Sequence, residues 1–388
     1  MAIPLKYNLR NLLVRRTSTL FTAGSIALTV AVFITLTALA TGLRTAFIST
    51  GGERNLIVLR QNSDTETNSS VTPAEFQNIK YLDGVARDGA GMPRASAETI
   101  VLINLPRLDN PQGSNVIIRG LAPAGFALRP QVQVAAGRWF RPGSREVVVS
   151  EKVARRFVST GLGDRLRFGK SEWAVVGAFD AGGTAFDSEI WCDVNQLMND
   201  YNRTSYSSVL AETTGAQALA ALADRIKDDR RLKLDAFSET AYYAKQTSSA
   251  TPVQALGIFI AVLMAIGAAF AAMNAMYTAV ANRTREIGTL RVLGFSRASI
   301  WLSFAIESTV LSLLGGILGC LVTLPINGIS TGTTNFSTFS EIAFQFRVTG
   351  ELLTTGLVFS ALIGFFGGSL PALKAAREQI VTALKTRG

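Results

Sequence analysis

The chain contains no histidine. That absence excludes the Ser-His-Asp and Cys-His arrangements of nucleophilic catalysis and removes the commonest ligand for zinc and other transition metals. Cysteine is nearly absent too, with Cys192 in the polar central region and Cys320 inside an apolar run. No intramolecular disulfide is expected, and cysteine usage does not fix a redox compartment. A phosphate-binding loop of the form GxxxxGK[ST] is missing as well. The nearest match runs from Gly163 to Ser171, but it has five residues between Gly163 and Gly169 and leads into a strand-like stretch at Trp173 instead of a helix. No catalytic, cofactor-binding or metal-ligating residues are therefore expected in this chain.

Long apolar runs are what the sequence has in quantity. Four of them, near Ser18–Leu43, Pro252–Val280, Ile300–Ile326 and Leu352–Leu373, reach or exceed the roughly 20 residues needed to cross ~30 Å of hydrocarbon as a helix. The charge of +10 is confined to their flanks. Lys6, Arg10, Arg15 and Arg16 precede the first run. Arg283, Arg285, Arg291 and Arg297, against Glu286, lie between the second and third. Lys374, Arg377, Lys385 and Arg387, against Glu378, follow the fourth. Taking these 12 basic and 2 acidic residues from the chain's 38 and 28 leaves 26 of each. Basic clusters beside spans stay on the cytoplasmic side during insertion. Both termini and the second loop are thus expected in the cytoplasm. With no basic patch left on the central region, nucleic acid is not an expected partner.

Arg15-Arg16 before an apolar stretch also suits an export signal. The stretch is about 25 residues long, against roughly 7–15 for a signal core, so an uncleaved anchor is expected. The resulting organisation is a cytoplasmic segment 1–17, span 18–43, an external mixed α/β domain 44–250, span 252–280 and a cytoplasmic loop 281–299. Span 300–326, an external loop 327–350, span 351–373 and a cytoplasmic tail 374–388 complete it.

Within the external domain, strands are expected at Asn55–Arg60, Val116–Arg119, Glu146–Ser150 and Trp173–Phe179. Thr72-Pro73-Ala74-Glu75 reads as a helix start with a capping box. Ala218, Leu219, Leu222 and Ile226 give helical spacing over Gly215–Asp228. Ser63–Ser70 reads as a polar, flexible loop. In the spans, Gly315-x-x-x-Gly319 and Gly364-x-x-x-Gly368 allow close helix approach, with packing inside one bundle favoured over a dimer seam. Glu307, an acid inside the third run, lies near enough to the cytoplasmic end of its helix for its carboxylate to reach the interface.

The cytoplasmic loop carries Ile287, Leu290 and Leu293 at i, i+3, i+6, a narrow apolar stripe beside Arg283, Arg285, Glu286 and Arg291. Gly294 suits a left-handed cap, and Ser296 an N-cap for the next helix. Such a short amphipathic helix fits either a docking surface for a cytoplasmic protein or a position on anionic headgroups of the bilayer. The spacing by itself leaves both open.

The segment Arg285-Glu286-Ile287-Gly288-Thr289-Leu290-Arg291-Val292-Leu293-Gly294 resembles the coupling segment of the FtsX-like, or MacB-like, permeases of ABC transporters. The stretch Glu307 to Gly319 is similar to that family's third span, and Pro371-Ala372-Leu373-Lys374-Ala375-Ala376-Arg377 with Ala383-Leu384 resembles its tail, although Gln379-Ile380 stands where a proline is common. Ala136-Gly137-Arg138-Trp139-Phe140 and Val175-Val176-Gly177 look like pieces of the MacB-type periplasmic domain. The resemblance implies a permease that dimerises with a second copy or a homologue and binds a separate cytoplasmic ATPase, which itself holds ATP and magnesium. It implies ATPase coupling through Arg285, Glu286, Ile287, Leu290, Arg291, Leu293 and Gly294. Efflux or extrusion, with a periplasmic adaptor and outer-membrane channel among the partners it allows, is expected from the roughly 200-residue insertion. The alternatives are an FtsX-like regulator of a periplasmic enzyme and a lipoprotein-extracting permease.

Overall fold

The computed structural model describes residues 16–229, 231–247, 251–335 and 338–377. Lys6, Arg10, Arg15 and most of segment 1–17, and the tail from Glu378 with Gln379-Ile380, Ala383-Leu384, Lys385 and Arg387, lie outside the described residues. The principal helices in chain order are α1 (Arg16–Ile48), α2 (Pro73–Lys80), α3 (Ala216–Asp228), α4 (Glu239–Gln246), α5 (Thr251–Ala281), α6 (Thr284–Val292), α7 (Arg297–Thr323) and α8 (Gly350–Arg377). They divide between two compact units, one holding the long apolar helices and the other formed by residues 42–251 and 330–345.

The four long helices are apolar and long enough to cross a membrane, with mean hydropathy of 2.2, 2.5, 2.1 and 1.7 over their most apolar windows. A helix is the form such a run takes in lipid because it satisfies every backbone polar group internally. They pack through small residues. A methyl group placed on Gly315 would sit 2.7 Å from the Ala23 carbonyl oxygen, and one on Gly319 2.7 Å from that of Ala27. Gly315 and Gly319 therefore face α1, while Gly364 and Gly368 lie against Ser312 and Ser308 of α7. The Ser308 hydroxyl donates to the Gly364 carbonyl at 2.8 Å. Helix α5 is the exception: 22% of its window is buried, against 39–50% in the other three.

The second unit is a mixed α/β domain. Its strands are β1 (Asn55–Arg60), β2 (Ala95–Leu105), β3 (Ser114–Leu121), β4 (Gln133–Gly137), β5 (Glu146–Ser150), β6 (Arg165–Phe168), β7 (Ser171–Asp180), β8 (Glu189–Asp193), β9 (Ser208–Glu212) and β10 (Leu234–Ser238), with a hairpin of β11 (Ser330–Thr334) and β12 (Glu341–Gln345). The large sheet runs β10-β1-β9-β2-β3-β8-β5-β7-β4, with β6 beside β7. Only β3–β8 and β5–β7 are parallel. One apolar core gathers Leu56, Val58, Ile79, Val209, Leu222 and Ile226 under α2 and α3. Another gathers Val116, Val147, Val149, Trp173, Ile190 and Leu197.

Two helix starts take the form their spacing predicts. Thr72 accepts from the Glu75 amide while the Glu75 carboxylate accepts from the Thr72 amide, closing the capping box. Helix α3 starts after Gly215 and buries Leu222 and Ile226. Two expectations need correction. Ser63–Ser70 is not a free polar loop, because Glu66 in its 3-10 turn is buried and ion-paired to Arg119 at 2.9 Å. A buried carboxylate holds its segment wherever its counterion is fixed. Segment 327–350, expected as a loop, is likewise structured: β11–β12 joins the α/β unit, burying Ile342, Ala343 and Phe344. Glu341 pairs with Arg107 at 2.9 Å and with Arg156, and the Ala343 amide donates to Ser188 Oγ at 2.6 Å.

Candidate functional site

The region that the sequence singles out begins where α5 stops. After a two-residue turn at Asn282-Arg283, α6 runs for nine residues with Glu286 in its first turn and Arg291 in its last, the arrangement that complements the helix dipole. Gly294 then takes φ +92°, which L-side chains rarely adopt. Around it the Phe295 amide donates to the Leu290 carbonyl at 3.1 Å and the Gly294 amide to that of Arg291 at 3.2 Å, the paired bonds of a left-handed C-terminal cap. Ser296 caps α7 by accepting from the Ser299 amide.

The apolar stripe does not stay on one surface. Ile287 is 2% exposed and packs with Met276, Val280, Ile300, Phe304, Ala372 and Ala376. Leu290 is half-buried. Leu293 and its neighbour Val292 are 65% and 61% exposed, with Arg285 exposed nearby in sequence and the Glu286 side chain 58% exposed. The reason is the helical pitch: Leu293 is still helical at φ −70° and its amide donates to the Thr289 carbonyl, but six residues on from Ile287 it lies about 120° around the helix from it, away from the inward face. The surface left for a partner is Val292-Leu293 with a contribution from Leu290, and Ile287 is unavailable to it.

Sequence reasoning missed the role of Arg283. It is buried, and its Nη1 donates to both oxygens of Glu307 at 3.2 and 3.0 Å. Its Nε lies 3.6 Å from Glu286, and its guanidinium lies 5.7 Å from the centre of the Phe304 ring. Glu307 is 5% exposed, and its carboxylate turns to Arg283. Truncating one partner of a buried pair leaves the other charge uncompensated, typically worth about 3–5 kcal/mol. The pair therefore fixes the α5–α6 turn to α7. Its sequence signal was present, since an acid inside an apolar run needs a counterion, and the nearest basic residues lie in the adjoining loop.

The segment resembling a phosphate loop is a hairpin turn. Gly169 and Lys170 join β6 to β7, and Lys170 Nζ donates to Asn202 at 2.5 Å. No helix N-terminus follows to cradle phosphates.

Residues 19–229 match the family described as MacB-like periplasmic core domain, and residues 258–380 match FtsX-like permease C-terminal. Among curated relatives, the uncharacterized ABC transporter permease YknZ of Bacillus subtilis (strain 168) is 24% identical over 347 residues, covering 84% of this chain and 82% of the relative. The macrolide export ATP-binding/permease protein MacB of Bradyrhizobium diazoefficiens is 27% identical over 300 residues, 70% of this chain and 43% of that protein. MacB of Chlorobaculum tepidum is 41% identical over 113 residues, 29% and 16%. The chain thus spans less than half of the MacB relatives it matches. The crystal structure of the extracellular domain of the noncanonic ABC-type transporter YknZ from Gram-positive bacteria aligns with a TM-score of 0.37 at 18% identity, covering 47% of this chain and 99% of that one.

Proposed function

The chain belongs to the MacB-like, FtsX-like family of ABC-transporter permeases, and on that premise we propose that it is the membrane subunit through which a separate cytoplasmic ATPase drives its α/β domain. ATP and magnesium would be held by that ATPase. The observation that carries the reading is α6 itself, anchored at its start by the buried Arg283–Glu307 pair and exposing Val292-Leu293 at its end. A load applied to that end reaches α7 through a buried ionic contact, where a helix resting loosely on headgroups would simply tilt.

The charge asymmetry supports placing α6 and both chain ends in the cytoplasm and the α/β domain outside it, in the inner membrane of a bacterium. A dimer is supported by α5: Leu256, Phe259, Leu263, Ile266 and Phe270 are all at least half exposed and follow the 3-4 spacing of a helix-pairing seam. Export or extrusion is the role favoured by the relatives named for macrolide export, with an adaptor and outer channel as further partners.

The test is Leu293→Asp. An exposed leucine tolerates the change in the free protein, but a charge buried in a docking contact without a partner costs about 2 kcal/mol or more. Purification in mild detergent should recover the ATPase with the parent chain and lose most of it with the variant, at unchanged yield of the permease. Full ATPase recovery with Leu293→Asp would overturn the docking role and favour the headgroup position.

A further inference from the structure

Six ionisable side chains meet inside the α/β domain, and none is more than 6% exposed: Glu66, Glu98, Glu189, Glu239, Arg119 and Arg129. Four carboxyls therefore share two guanidiniums, and the sharing is uneven. Arg119 gives Nη1 and Nη2 to Glu66 at 2.9 and 3.1 Å, Nε and Nη2 to Glu189 at 2.7 and 2.8 Å, and Nη1 to Glu98 at 2.8 Å. Arg129 spends both terminal nitrogens on Glu98, at 2.6 and 2.9 Å. Glu66 also accepts from Ser208 and Glu189 from the Trp191 indole.

Glu239 is left with neutral donors only. Its Oε2 accepts from the Gly52 amide and from Asn55 Nδ2, both at 2.8 Å. Its Oε1 has no hydrogen-bond partner, and Arg129 Nη2 stands 3.9 Å away. The charged and titratable groups around it are Arg129 from the loop after Leu128, Glu98 from β2 and Tyr243 from its own helix. A carboxylate buried without a close cation takes up a proton in preference to staying charged.

We propose that Glu239, which joins the start of α4 to Gly52 and Asn55 on the chain that leaves α1, binds a proton in the folded domain more readily than a free carboxylate and is a proton-dependent latch, weakened when it must carry a poorly compensated buried charge. Burial, with a smaller push from Glu98, moves its carboxyl up against the opposing pulls of Arg129 and of the Gly52 and Asn55 donors, which favour the charged form. Burial acts the same way on Glu98, yet Arg129 and Arg119 outweigh it and hold that group below its ordinary range. The junction is tight: a methyl group on Gly51 would lie 2.6 Å from the Thr240 amide nitrogen. Because the folded value is raised, the latch stabilises the fold fully below the ordinary glutamate value of 4.5. That contribution is lost as pH rises through the raised value. With the domain outside the cytoplasm, as proposed above, the latch meets the external pH, but the titration does not depend on that placement.

The absence of histidine makes the test clean, since no imidazole titrates near neutrality. Thermal unfolding of the full chain in lipid nanodiscs, followed by tryptophan fluorescence between pH 5 and 7.5, should show stability falling by up to about tenfold in the folding equilibrium per pH unit. Glu239→Gln should flatten that profile. A purely structural role would lower the variant's midpoint equally at every pH and leave the slope unchanged, which overturns the proposal, as does a flat profile in the parent. Should Glu239→Gln fail to accumulate, infrared spectroscopy of the parent decides. A protonated-carboxyl band that fades as pH rises supports the latch, and its absence across this range refutes it.

Discussion

At the scale of single residues, three apolar side chains at helical spacing have three different fates. Ile287 is core, Leu290 is half-buried and Leu293 is outside. Ile287→Asp should therefore lower the yield of folded permease, because it puts a charge among Met276, Val280 and Phe304. Leu293→Asp should leave yield intact and remove the ATPase. That contrast separates folding from docking in one expression and co-purification experiment. Cys192 shows the same limit of sequence reading: it is fully buried, and burial pushes its thiol well above the ordinary range, so it resists thiol reagents in the native protein and cannot report topology without denaturation.

At the scale of elements, the glycines of α7 decide how closely it meets α1. A side chain at Gly319 would press within 2.9 Å of Val30 Cβ and 2.7 Å of the Ala27 carbonyl oxygen, which is backbone and cannot swing away. Gly319→Val should destabilise the helix unit by about 1–3 kcal/mol, while Gly24→Ala, with nothing within 4 Å of the added carbon, should be tolerated. Thermal stability of the two variants in detergent measures the difference. In the α/β domain, β4 and β5 are linked by Arg138 and Glu146, whose carboxylate accepts at 2.6 and 2.7 Å from the guanidinium and at 2.9 Å from the Arg141 amide. The Arg138 bond, working against burial, depresses Glu146 from 4.5 to about 2. A depressed carboxylate stabilises the fold above its ordinary value, and that share is lost as pH falls from 4.5 towards 2. Arg138 is 43% exposed, so solvent screening leaves only a small part of that shift as stability. Glu146→Gln should be slightly less stable at pH 7 and converge on the parent towards pH 2, as read by tryptophan fluorescence. Its sign is opposite to that of Glu239, so the two variants move the pH profile in different directions.

For the whole molecule, a cysteine-free chain made by Cys192→Ala and Cys320→Ala allows both proposed arrangements to be tested. Gln217→Cys, on the exposed face of α3, should react with an impermeant thiol reagent in intact spheroplasts, and reaction only after lysis would reverse the orientation. Leu263→Cys should form a disulfide-linked dimer in the membrane; a monomer under oxidising conditions would remove α5 as the seam. The four long helices, the capped starts at Thr72 and Ser296 and the left-handed turn at Gly294 were legible in the sequence, because each depends on residues within a few positions of one another or on the bulk hydropathy of a run. The charge flanking those helices is equally a property of the sequence. Other features depended on where distant segments return. Glu307 finds Arg283 only when α7 packs beside the α5–α6 turn. Glu66, Glu98, Arg119, Arg129, Glu189 and Glu239 become a network only once β2, β3 and β8 lie side by side with the start of α4 near them. The segment 330–345 becomes part of the α/β domain through residues distant in sequence: Glu341 meets Arg107 and Arg156, the Ala343 amide meets Ser188, and Ile342 and Phe344 are buried. The strand expected at Val116–Arg119 set Arg119 beside apolar residues, but a buried charge does not name its partner. Local pattern thus determined the long helices, their caps and four of the strands, whereas strands such as β2, β8 and β9 and the pairing of the buried charges were decided by tertiary packing.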